Sequence, residues 1–134
     1  MPAQLTHHSN NSAVNTEGLR TMEIHHETID GGILQVRLTG TLDVAGSDQI
    51  GLTFNALAGT ETRMLVDLSG VDFLASMGIR LLLTVGKAVV RRRGRIVLCA
   101  AQPVVREVLV TTGIDKMFPM AERREAALAV LSAA

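Results

Sequence analysis

Met64-Leu65-Val66-Asp67-Leu68-Ser69-Gly70-Val71-Asp72-Phe73-Leu74-Ala75-Ser76-Met77-Gly78-Ile79-Arg80 is the stretch that decides the fold. Met64–Leu68 is apolar until Asp67, the pattern of a central strand covered on its faces. Ser69-Gly70-Val71-Asp72 reads as a turn. Phe73 and Leu74 then lead into a helix, expected from Met77 to about Arg93. Ser76 stands where an N-cap belongs: its side-chain oxygen can accept a hydrogen bond from a free first-turn amide. The same amides and the helix dipole favour a phosphate on that oxygen.

The helix carries Ile79, Leu82, Leu83, Gly86, Val89 and Val90 on one stripe, and Arg80, Thr84, Lys87 and Arg91 on the opposite one. Leu81, Val85 and Ala88 lie on a flank between the two. That flank is either covered by a neighbouring helix or left for a partner, continuous with Met77 at the Ser76 end. Arg91-Arg92-Arg93 falls where the dipole favours cations, and Gly94 ends the helix.

Outward from this stretch, Met22–Thr28 and Ile33–Thr39 read as strands joined at Asp30-Gly31-Gly32, a hairpin. Leu34, Val36 and Leu38 share one face of the second strand; Ile33, Gln35 and Arg37 share the other. Gly40-Thr41-Leu42-Asp43 reads as a turn. A helix follows from about Ala45 to Leu57, with Ile50, Phe54 and Leu57 in one stripe, Asp43 or Ser47 as its cap, and Gly59 closing it. Arg95–Ala100 is a fourth strand. Pro103 opens a helix containing Val104, Val105, Val108 and Leu109, which ends at Thr111-Thr112-Gly113. Ile114–Met120 reads as a short edge strand and Glu122–Leu131 as a last helix. The third and fourth strands, joined through a helix, are expected to be parallel. This is an α/β domain with a mixed sheet of four or five strands and helices mainly on one face.

Composition narrows the function. At 134 residues the chain forms one domain. Lys plus Arg number 13 and Asp plus Glu 13, so no net field draws in nucleic acid or an anionic membrane. Three phenylalanines and no Trp or Tyr leave no platform for stacking bases. Cys99 is the one cysteine, which excludes an internal disulfide and suits a reducing cytoplasm. Residues 1–19 are polar and read as a flexible arm, without the apolar segment of a signal peptide, and residues 20–134 as the domain. Arg80, Lys87 and Arg91 interrupt the best apolar run, so no membrane insertion is expected.

No catalytic set or cofactor motif assembles. Histidines occur only as His7-His8 and His25-His26, without cysteines or carboxylates at metal-ligand spacing. There is no G-x-S-x-G, no H-E-x-x-H and no phosphate loop at Gly86-Lys87. Asp43, Asp67 and Asp72 are each explained by capping or turn formation. The reading is a binding module with no cofactor and no metal, not an enzyme.

Gly40-Thr41-Leu42-Asp43, the run from Val66 to Gly78, and Thr112-Gly113-Ile114 together resemble the STAS domain, and more narrowly the bacterial anti-sigma factor antagonists. The resemblance covers about residues 21–131. It implies a protein that binds a kinase-type anti-sigma factor, with a histidine-kinase-like ATPase fold, and so releases a sigma factor. It also implies that a serine in the loop before the second helix is phosphorylated by that partner and reset by a serine phosphatase. That serine falls on Ser76. The family's usual Asp-Ser-Ser-Gly here reads Ala75-Ser76-Met77-Gly78, so the acid and the second hydroxyl are missing. The implied partner-binding residues are Asp43, Leu74, Ala75, Ser76, Met77 and Gly78, and the flank of the helix adds Leu81 and Val85. The fold also serves as a small subunit of lipid-transport ATP-binding-cassette systems and as a scaffold subunit of stress-signalling assemblies; homo-oligomers are compatible with all three. Since residues 1–19 carry little apolar surface, a chain beginning at Arg20 is expected to melt as the full-length protein does; loss of its cooperative transition in circular dichroism would refute the arm.

Overall fold

The structure, a computed structural model, describes residues 22–133. The arm assigned to residues 1–19, with His7 and His8, lies outside them. Five strands, β1 (Met22–Ile29), β2 (Ile33–Leu42), β3 (Arg63–Leu74), β4 (Arg95–Cys99) and β5 (Met120–Ala121), form one sheet in sequence order. Five helices complete the chain: α1 (Val44–Ala58), α2 (Ser76–Arg91), α3 (Pro103–Thr111), α4 (Ile114–Met117) and α5 (Arg124–Ser132). β1 and β2 form the expected antiparallel hairpin, and β2, β3, β4 and β5 run parallel.

Alternation along the strands sorts the core into two layers. Leu34, Val36, Leu38, Met64, Val66, Leu68, Ile96 and Leu98 face α1, α2 and α3. Ile33, Leu65, Val97 and Cys99 face α5, whose Ala127 and Leu131 cover them. One face thus carries most of the helices and the other a single short one. Burial pushes the Cys99 thiol up to about 11, reinforced by the Asp67 carboxylate and opposed by the Arg124 guanidinium.

Three elements depart from the expected boundaries. The run Ser69-Gly70-Val71-Asp72 is not a turn; β3 continues through it to Leu74, beside a β2 that likewise continues through Gly40-Thr41-Leu42. The two segments with turn composition lie side by side as irregular rungs of one ladder, with register shifts between Arg37 and Thr39 and between Gly40 and Thr41. Gly70 is required there: a Cβ would stand 2.8 Å from Thr39 Oγ1 and 3.0 Å from Leu38 O. Second, Ile114–Met120 is not one strand. Gly113, at φ 81°, starts the helical turn α4, which places Ile114 and Phe118 four residues apart in the core; only Met120 and Ala121 pair with β4. Third, Gly94 does not supply the left-handed residue after α2. Arg93 does, at φ 65°, with Arg93 N–H donating to Val90 O and Gly94 N–H to Val89 O, the paired bonds of a Schellman closure. Position 94 needs glycine because a Cβ would lie 2.7 Å from Thr62 O.

Arginines close other helices from outside. Arg92 donates to Ala58 O (3.2 Å) and Glu61 O (2.7 Å) just past α1. Arg95 donates to Val130 O and Ala133 O, and Arg63 to Leu131 O, at the end of α5. These cations meet the negative ends of helix dipoles. No helix among the described residues is long and apolar enough to cross a membrane.

The Cys99 thiol is expected to resist a disulfide reagent at pH 8 in the native protein and to react fully in denaturant. Native protein holds the proton between about 9 and 11 while unfolded chain has released it, so this group's contribution to stability falls as pH rises through that window. Rapid modification of native protein at pH 8, measured by absorbance, would contradict the packing of β4 against α5.

Candidate functional site

The site is built on the last residues of β2. Thr41 and Leu42 pair with Phe73 and Leu74 at the end of β3, and α1 and α2 both start just beyond. Asp43 caps α1: its Oδ1 accepts the Gly46 N–H at 2.8 Å, and its carbonyl accepts the Ser47 N–H. Of the two expected caps, Asp43 and Ser47, the helix therefore uses Asp43. Gly46 is held against β2, where a Cβ would stand 2.1 Å from Thr41 O.

The second helix start is built the same way. Ala75, extended at φ −107° and ψ 178°, donates its N–H to Leu42 O at 3.0 Å. Its carbonyl accepts the Ile79 N–H at 2.9 Å, so Ala75 is the N-cap. Gly78 is buried on β2 with no space for a side chain: a Cβ would lie 2.4 Å from Leu42 O and 2.6 Å from Leu42 Cγ.

Ser76 is corrected on one point. It is the first residue of α2, not its N-cap, and no side chain caps the helix. The Ala75 N–H is held on Leu42 O and Gly78 is pressed against Leu42, so the helix begins one residue earlier than expected and Ala75 takes the boundary. Ser76 is exposed, and no hydrogen bond holds its hydroxyl among the described residues.

The predicted contact residues separate into two groups. Asp43, Ala75, Ser76 and Met77 have accessible surface. Leu74, Gly78, Leu81 and Val85 do not: Leu74 is 4 % exposed, Leu81 8 % and Val85 0 %. The flank of α2 expected to dock a partner is core, because α1 packs on that side and shares a cluster with both Leu81 and Val85. The buried stripe of α2 runs through Gly78, Leu81, Leu82, Val85, Gly86 and Val89, rotated from the expected one, so that Val90 is half-exposed and Ile79 and Leu83 are partly covered.

Other residues at this end were not among the expected contact residues. Thr41 Oγ1 donates to Asp72 Oδ1 at 2.9 Å, tying the ends of β2 and β3. Phe73 is 50 % exposed and Val44 58 %, so apolar surface flanks the serine. The turn reading of both segments hid these residues, since only strand pairing shows which of their side chains point outward. Asp67 is separate from Asp43 and Asp72 in role: it is buried, accepts the Ser69 N–H at 2.9 Å and faces Arg37 Nε at 3.5 Å.

The exposed groups lie together at the end of the sheet where α1 and α2 start. A depression of about 670 Å3 lies elsewhere, between α3 and β5, lined by Pro103, Arg106, Val110 and Met120 among others, and holds none of the predicted site residues. No group of three or more His, Cys, Asp or Glu among the described residues is placed to hold a metal. The geometry is that of an accessible surface around the Ser76 hydroxyl, with no enclosed cavity among these residues.

Residues 26–127 match the family described as the STAS domain. The chain belongs to the STAS domain family. A Bordetella bronchiseptica protein named "Putative anti-sigma factor antagonist BtrV" is 34% identical over 114 residues, spanning 84% of this chain and 97% of its own length. The Anti-sigma F factor antagonist of Paenibacillus polymyxa is 28% identical over 109 residues, 80% of this chain and 90% of its own. The solved structure of an anti-sigma-factor antagonist (STAS) domain protein from Planctomyces limnophilus superposes with a TM-score of 0.70 at 28% identity, covering 84% of this chain and 98% of that one. The mixed sheet and helix order read from the sequence are those of the STAS fold.

Leu81→Glu is expected to lower the melting temperature sharply, because an unpaired carboxylate would be buried. Gly78→Ala is expected to cost about 1–3 kcal/mol by forcing α2 off Leu42. A Leu81→Glu variant that melts like wild type would return this flank to the surface.

Proposed function

We propose that this STAS domain is an anti-sigma factor antagonist, switched by phosphorylation of Ser76. The observation that carries the reading is a free, exposed hydroxyl at the first residue of α2, on backbone held rigid by Leu42. The names of its relatives supply the role. The partner is a kinase-type anti-sigma factor with a histidine-kinase-like ATPase fold, and docking on the rim of Asp43, Ala75, Ser76 and Met77 makes it release its sigma factor. Phe73 and Val44 add apolar surface to the contact. The protein acts by binding in the cytoplasm, and carries out no chemistry of its own.

Phosphorylation is the partner's reaction. The terminal phosphoryl group of ATP bonds to Ser76 Oγ, its bond to ADP breaks, and the hydroxyl proton leaves to a base on the kinase or to solvent. The product adds about 1.5–2 negative charges to a surface that docks through small and apolar groups. Asp43 and Asp72 already carry negative charge at this end of the sheet, so an anionic partner surface is doubly disfavoured. A serine phosphatase removes the group by hydrolysis and restores the contact. With Ala75 and Met77 in place of the family's acid and second hydroxyl, Ser76 is the single acceptor of the loop.

Co-expression with the kinase-type anti-sigma factor is expected to add one phosphate, at Ser76, by mass spectrometry. Ser76→Ala is expected to bind the partner as wild type does, and Ser76→Asp about tenfold or more weaker, a cost of about 1.4 kcal/mol. Equal affinities of the two variants by calorimetry, or phosphate on Ser69 or Thr84 with Ser76 bare, would reject the switch.

A further inference from the structure

Most of the arginines near helix ends in this fold are already engaged. Arg63, Arg92 and Arg95 each donate to backbone carbonyls, and Arg37 and Arg106 face carboxylates. Arg80 is different. It lies on the exposed side of α2, and among the described residues its guanidinium has no ion pair or hydrogen bond; only its backbone carbonyl is engaged, by the Thr84 hydroxyl at 2.9 Å. The first turn of α2 offers it no acidic residue.

Four residues before Arg80 stands Ser76, also exposed and within the same helix. Residues at this spacing lie one above the other, with Cβ atoms about 5–6 Å apart. Helical side chains lean toward the N-terminus, so Arg80 leans toward the turn that carries Ser76. A guanidinium offers a fork of N–H donors suited to phosphate oxygens.

We propose that Arg80 is the intramolecular receptor of a phosphate on Ser76. The inference rests on the reading of Ser76 as the modified residue and adds what happens to the group once attached. The guanidinium draws the phosphate down onto the helix face and is itself withdrawn from any partner. One modification therefore alters two exposed groups: the Ser76–Arg80 face passes from one positive charge to roughly one negative. Arg80 also shields the phosphoryl group from the phosphatase, so the modified state outlasts what a bare surface phosphoserine would show.

The test installs phosphoserine directly at position 76 of the full-length protein by genetic code expansion, so that no kinase is needed, and follows its second ionisation by 31P NMR. A nearby cation favours the dianion, so the midpoint should be lower in the otherwise wild-type protein than in Arg80→Gln, by about 0.3 pH unit or more. Arg80→Lys should recover part of the shift. Arg91→Gln, an exposed arginine at the far end of α2, should leave it unchanged, and about 1 M salt should shrink it. Equal midpoints in wild type and Arg80→Gln, or equal effects of Arg80→Gln and Arg91→Gln, overturn the proposal. Kinase mapping that leaves Ser76 bare would sink the reading of Ser76 without moving this titration, so the two failures are distinguishable.

Discussion

Two neighbouring carbonyls at the end of β2 hold the functional end of the molecule together. Thr41 O receives Gly46 of α1, and Leu42 O receives both the Ala75 N–H and Gly78 of α2. Neither approach leaves room for a side chain. Parallel strands end in bare carbonyls, and helix starts present bare amides and dipole charge of the opposite sign. At this strand end Leu42 O takes the Ala75 N–H just before α2, while α1 meets Thr41 O by close packing at Gly46, and the two contacts seal the core below. Asp43, in the link between β2 and α1, satisfies a further amide with its own carboxylate.

This packing explains why the accessible surface around Ser76 is small. Leu74, Gly78, Leu81 and Val85 support it from beneath, and what reaches solvent is a narrow rim around Ser76 with Phe73 and Val44 beside it. A surface on such backing does not change shape readily, since a close-packed interior resists small deformations. Charge is then the effective variable. A phosphate on Ser76 alters the potential at the rim, while the buried side of α2 keeps its contacts with β2, β3 and α1. The receptor role assigned to Arg80 follows the same logic, because it redistributes charge along one exposed helix face.

The remainder of the molecule is a frame. The apolar layer under α1, α2 and α3 contains most of the large buried side chains, and α5 closes the smaller layer on the other side. The basic residues that gave the sequence its clustered arginines are largely part of that frame: Arg92 closes α1, and Arg63 and Arg95 close α5. Of the triplet after α2, Arg92 is thus accounted for by the end of α1 and Arg93 by the left-handed turn it supplies.

What the sequence determined by itself was local and periodic. Period-two alternation in Ile33–Leu38 identified the two faces of β2, the apolar run Met64–Leu68 identified a central strand, and the residues before a helical stripe offered Asp43 or Ser47 as a cap, of which the Gly46 N–H selects Asp43. The motif around Ser76 was legible as the STAS signature. Tertiary structure alone decided matters that depend on neighbours distant in the chain. Gly40–Leu42 and Ser69–Asp72 have turn composition, yet become strand because each supplies the other's hydrogen-bond partners. Ile114 and Phe118 suit either a strand or a helix, and the core position of both selected the helix. Leu81 and Val85 lie on a flank whose exposure no helical wheel can settle, because it depends on where α1 comes to rest. Gly46 and Gly78 set that resting place through contacts with Thr41 and Leu42, and those contacts exist only once the strands and helices have assembled.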